Sequence, residues 1–178
     1  MNAVNEEYLQ DLRQRVDQYR LLAEKAIARV DDNRLFWCFH NDANSMAIIM
    51  QHISGNMRSR FTNFFTEDGE KPWRHRDSEF EPVLTTRDEL METWNHAWSV
   101  FTLLLAELRP EDLTRTVYIR GEAHAVLGAL QRQLAHYAYH IGQLIFLAKM
   151  LSTGSWESLS IPKNQSDDYN RRHANPPA

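Results

Sequence analysis

His136 and His140 stand four residues apart in the run RQLAHYAYHIGQLIFLAKML. In a helix that spacing is about one turn, so both imidazoles leave the same face, one above the other. Two neutral imidazoles held this way are ready metal ligands, and a divalent ion with open positions acts as a Lewis acid. A third donor has to come from another segment. The best candidate is His52, in the centre of the apolar run SMAIIMQHISGNM. An i,i+4 histidine pair is a short motif, so structural or solvent-facing histidines stand as the alternative reading at this point.

The last helix has an apolar seam of Leu127, Leu130, Leu134, Ala138, Ile141, Ile145 and Ala148. On a 3.6-residue wheel His136 and His140 point roughly 140° from that seam. They share their stripe with Ala129, Gln133, Leu147 and Leu151. A helix apolar on more than one side packs against several neighbours, and a polar stripe within it needs partners, because unpaired buried imidazoles are unfavourable.

Other metal patterns fail. No Glu is followed by His three residues later, which argues against a ferritin-like di-iron centre. Tyr137 stands where a zincin needs its general-base glutamate, which removes metalloprotease. A three-histidine site with open positions suits Zn, and Ni, Fe or Mn to varying degrees. Such an ion binds a thiol as thiolate or lowers the pKa of water.

Several residues are candidates to support the ligands or meet a substrate. Asn56 lies one turn after His52, and Gln133 and Gln143 share the histidine stripe. His124, two residues after Glu122, is a candidate neighbour of the metal, with a capping or surface role as the alternative. Trp73, Arg74 and Arg76 suggest a partial lid whose arginines hold a carboxylate. The plainer reading is a solvated loop with Trp73 plugging the bundle edge. Arg58 and Arg60 read as salt-bridge residues, and His40, His75 and His96 as ordinary polar ones. Cys38, among the aromatics of LFWCFH, reads as a buried, unreactive thiol.

Four helices have to position these side chains. The first spans roughly residues 4–30, followed by the connection DDNRLFWCFHNDANS. The second begins near Asn44 or Ser45 and runs to about Phe65. Residues 66–85 form a long loop, of a length often associated with function. The third starts at a capping box, Thr86 to Glu89, and ends at Arg109-Pro110. Arg115–Arg120 is β-like, as a short hairpin or an extended linker, and Gly121 breaks it. The fourth helix runs from about His124 to Leu151, and residues 163–178 are a tail. These elements predict one domain over 1–178, an all-α four-helix bundle with a long crossover loop. Gly128, Ala135 and Gly142 recur every seven residues, either for packing inside the bundle or as a homodimer seam flanked by Tyr139 and Phe146.

Bulk properties narrow the classes. With 178 residues, 43% hydrophobic and 25% charged, the chain suits one soluble globular domain. A net charge of −4 without a basic stripe argues against nucleic acid as partner. No stretch reaches the ~18 apolar residues of a membrane span, and the opening MNAVNEEYLQDL lacks secretory character. The single cysteine excludes an intramolecular disulfide and suits a reducing, cytoplasmic location.

The histidine contexts Met50-Gln51-His52-Ile53-Ser54 and His136-Tyr-Ala-Tyr-His140-Ile-Gly-Gln143 resemble the DinB/YfiT-like superfamily. The run Gly55 to Glu81, with its Gly69-Glu70-Lys71-Pro72-Trp73 loop, is similar to an uncharacterised bacterial branch of it. The resemblance covers nearly the whole chain, from the first helix to Pro162. It implies a bundle in up-down-down-up order, one divalent transition metal on His52, His136 and His140, and often a homodimer. It also implies metal-dependent transferase or isomerase chemistry with low-molecular-weight thiols such as bacillithiol or mycothiol. The expected function is therefore a transferase that activates a small thiol against an electrophile. The alternative is a non-catalytic, metal-stabilised dimeric bundle in stress response or ligand binding.

Overall fold

The computed structural model describes residues 2–174, which are mostly helical. Four long helices, α1 (Asn2–Ile27), α3 (Met46–Phe61), α4 (Arg87–Glu107) and α5 (Val126–Leu151), carry the core. A single turn, α2 (Asp32–Leu35), lies in the first connection, and α6 (Ser166–His173) in the tail. Between α4 and α5 the strands β1 (Thr116–Ile119) and β2 (Glu122–Ala125) pair antiparallel, with Thr116 opposite Ala125.

Each helix begins and ends for local reasons. Ser45 caps α3, its hydroxyl accepting from the Ile48 N–H at 3.1 Å. Thr86 and Glu89 form the expected capping box at α4. The second helix stops at Phe61, short of the expected Phe65, and Asn63 two residues on adopts a left-handed backbone (φ 49°). The last helix starts at Val126, so His124 belongs to β2 and not to the helix. Arg120 (φ 57°) and Gly121 (φ 75°) form the two-residue turn of the hairpin, a conformation Gly tolerates without strain.

Packing follows the apolar faces. α3 packs against α4 and α5, and α1 packs against α5 and α4. Trp94, Trp98 and Phe101 of α4 and Tyr137 of α5 are fully buried, with Phe61 stacked on Phe101 at 4.0 Å between ring centres. Fully burying side chains of this size contributes roughly 2–3 kcal/mol each. α3 buries twelve of its sixteen residues, which makes it the central helix.

The buried face of α5 differs from the expected seam. It runs through Val126, Leu130, Gln133, Tyr137, Ile141, Leu144 and Ala148, while Leu127 is exposed. The Tyr137 ring is needed inside against Trp98 and Phe101, and this rotates the helix. His136 and His140 thereby flank the buried face instead of opposing it, half-buried beside α3.

Candidate metal centre

The three histidines meet. His136 Nε2 lies 3.3 Å from His52 Nε2 and 3.0 Å from His140 Nε2. One ligand atom from each, taken together, falls within 4.8 Å of the others. Metal–imidazole bonds of about 2.0 Å at tetrahedral angles separate two donors by about 3.3 Å. The spacing therefore matches what a shared ion needs.

Proton placement supports the same fit. His52 Nδ1 is 2.9 Å from a Glu79 carboxylate oxygen, which only accepts, so the Nδ1 proton points at Glu79. His140 Nδ1 donates likewise to Gln143 Oε1 at 2.8 Å. In the neutral rings both Nε2 lone pairs then face His136 Nε2, which has at most one proton to donate. One lone pair is left opposed unless a cation receives all three. Burial, with the neighbouring His140 and His52, lowers the His136 pKa to about 3, and burial lowers that of His140. Both rings therefore stay neutral and available as donors near pH 7.

Glu79 is itself held. Arg74 donates to it twice, Nε to Oε1 at 2.7 Å and Nη2 to Oε2 at 2.9 Å, and both side chains are buried. Burial alone would raise the Glu79 pKa, but the hydrogen bonds from His52 and Arg74 outweigh it and hold the carboxyl below its ordinary value. A Cβ at Gly55 would come within 2.7 Å of Glu79 Cδ, so the glycine is what lets the carboxylate lie against α3. The His52 ring also packs on Phe80, 4.7 Å between centres.

The loop 66–85 is a docked strap and not a free lid. Gln51, next to His52, donates through Nε2 toward the carbonyls of Ser78, Glu79 and Glu81 at 2.9–3.0 Å. Its Oε1 accepts from Leu84 N–H. Asp68 accepts from the Glu70, Arg120 and Gly121 N–H groups, tying the strap to the hairpin. A 3-10 turn, Arg76–Phe80, carries Glu79 inward.

The remaining candidates divide. Gln143 supports His140 directly. Asn56 Oδ1 accepts from Tyr137 O–H at 3.2 Å, and both Asn56 and Gln133 line a cavity of about 220 Å³ beside His52 and His136. Arg76 lines it too. Trp73 is 46% exposed, with Arg58 over its ring at 5.5 Å. His124 pairs with Val117 across the hairpin and lies 3.9 Å from Glu122, and among the described residues it has no hydrogen bond to the triad. Cys38 is half-buried, against expectation, and lines a separate groove with Phe36 and Phe80. The sequence reading overlooked Glu79 and saw Arg74 only as a lid residue. The one local hint was a glycine in an apolar helix three residues after His52.

No curated protein and no solved structure matches the chain. One family model, "Protein of unknown function (DUF1572)", matches residues 3–165. The match spans every element that builds the triad, and the chain belongs to the DUF1572 family.

Proposed function

We propose that this chain is a divalent-metal protein of the DinB/YfiT-like superfamily, a four-helix bundle in up-down-down-up order. We further propose that it is a metal-dependent transferase activating a low-molecular-weight thiol against an electrophile. The observation that carries the reading is the convergence of three imidazole Nε2 atoms from two helices. His52, His136 and His140 would hold the ion, whose chemistry when bound is to stabilise a thiolate or hydroxide at neutral pH. The donor set suits Zn, Ni, Fe or Mn.

The chain's own groups orient the donors. Glu79 fixes the His52 tautomer and Gln143 that of His140, so both rings offer Nε2. Arg74 keeps Glu79 ionised and in place. Among the described residues the cavity lining beside His136 contains no carboxylate. That composition suits a nucleophile deprotonated by coordination, with no separate general base.

An exposed stripe on α5 supports the homodimer. Tyr139, Phe146 and Met150 are exposed, and added Cβ atoms at Gly128 and Gly142 would meet nothing. The same stripe favours a second reading, a non-catalytic dimer stabilised by its metal.

Metal content by mass spectrometry, on protein purified without a His tag or added metal, tests the site. Near one divalent ion per chain, lost in the His136→Ala/His140→Ala variant, is expected. No metal in either sample and no rebinding on titration would overturn the metal reading. Thiol conjugation with a panel of electrophiles then separates the two functions: turnover abolished by chelation supports the transferase. Metal-loaded protein that neither turns over nor binds thiol leaves the dimeric bundle.

A further inference from the structure

The cavity beside His136 is lined by five arginines from four segments of the chain: Arg60, Arg74, Arg76, Arg120 and Arg132. They arrive from α3, the strap, the hairpin turn and α5. Few carboxylates answer them. Glu70 meets Arg60 at 3.1 Å and Arg120 at 3.0 Å, with Arg74 at 3.5 Å, and Glu79 takes the fork of Arg74. Arg76 has only the fully exposed Asp77 at 3.8 Å, and Arg132 has no hydrogen bond or ion pair among the described residues. Asp68 points its oxygens at backbone N–H groups of the turn.

Two of the buried lining residues retain unused donors. Arg60, 4% exposed, leaves Nε without a partner, and Arg74 leaves Nη1 without a hydrogen bond. Buried cationic donors left unmatched are unfavourable in an empty site and favourable in one that holds an anion. Burial and then the neighbouring Arg74 charge lower the Arg60 pKa.

We propose that this pocket is an oxyanion subsite, taking a phosphate or carboxylate group of a small ligand whose reactive end reaches the three-histidine centre. Arg76, Arg120 and Arg132 form its exposed rim, and the buried Arg60 and Arg74 its base. The cavity of about 220 Å³ admits a compact anionic group and not a whole large molecule. Planar guanidiniums in several orientations match tetrahedral or planar oxyanions through paired N–H donors. The position of the reactive end rests on the metal reading, but the anion subsite does not.

Calorimetric titration of the full chain with inorganic phosphate, and separately with malonate, tests it. Binding of at least one is expected, weakened about tenfold or more in Arg76→Gln/Arg132→Gln. It is expected to persist in His136→Ala/His140→Ala and in a remote control of equal charge loss, Arg15→Gln/Arg171→Gln. Tighter phosphate than malonate identifies a phosphorylated ligand, and the reverse a carboxylate one. No binding of either anion, or binding unchanged by the rim variant, overturns the proposal. So does binding lost only in the histidine variant, because the anion is then a ligand of the metal. Metal content of the rim variant, expected to equal that of the parent, keeps failure of the subsite separate from failure of the metal centre.

Discussion

Two of the three candidate ligands are oriented in contrasting ways. His140 is steadied by Gln143, three residues further along the same helix, through one neutral hydrogen bond of 2.8 Å. His52 is steadied by Glu79, 27 residues away in a strap, and Glu79 is gripped by a buried arginine. The first support is built by helix geometry alone. The second exists only when the strap docks, and it brings buried charge with it. Local support is inexpensive and modest, whereas tertiary support is strong and breaks as a unit.

Removing the tertiary support should have the largest effect. Glu79→Ala leaves Arg74 buried without its partner and is expected to destabilise the fold by roughly 3–5 kcal/mol in a denaturant melt. Metal affinity in the same variant should fall about 10–100-fold in a competition titration. A variant as stable as the parent would show that the strap does not carry this pair in solution.

Acid should also act on the triad in chelator-treated protein. His136 titrates near 3 when folded, against an ordinary value of 6.5. Between those values the unfolded chain binds the extra proton, so this contribution to stability is present above about pH 6.5 and is lost as pH falls towards 3. Melting temperature should fall as pH is lowered from about 6.5 towards 3, and His136→Gln should flatten that dependence.

Gly55→Ala approaches the same support from α3. Its Cβ must displace a carboxylate held by His52 and Arg74, at an expected loss of about 1–3 kcal/mol with weakened metal binding. Gln143→Ala should touch only the local support: about tenfold in metal affinity, with the melt almost unchanged. The smallest effect belongs to Gly142→Ala, where nothing is met. Within one chain an increase of about 0.5–1 kcal/mol is expected from helix propensity, while a weakened dimer in the same variant is what the proposed homodimer seam predicts.

Helix existence and the His136/His140 pair were legible in the sequence because both rest on local periodicity, whereas His52, 84 residues from His136, joined them only as a candidate and through the family resemblance. The i,i+4 pair, the capping box at Thr86 and the hairpin break at Gly121 all involve residues within a few positions of each other. The rotation of α5 was not legible, since it depends on where Tyr137 finds space between Trp98 and Phe101. Neither Trp73 nor His124 makes a hydrogen bond to the triad among the described residues, because proximity in sequence to a loop or helix end does not set which way the chain turns. Glu79 has no spacing relation to His52 that a periodic pattern could reveal.

By itself, then, the sequence determined the helices, their caps and the donor types, because backbone geometry and side-chain chemistry are local. Tertiary structure alone decided that Glu79 and Arg74 stand behind His52 and that five scattered arginines share one cavity. A chain of net charge −4 with no basic stripe still concentrates positive charge beside its histidines. Charge pattern along a sequence does not report it, because electrostatic fields add over distances in space that the folded strap and hairpin create.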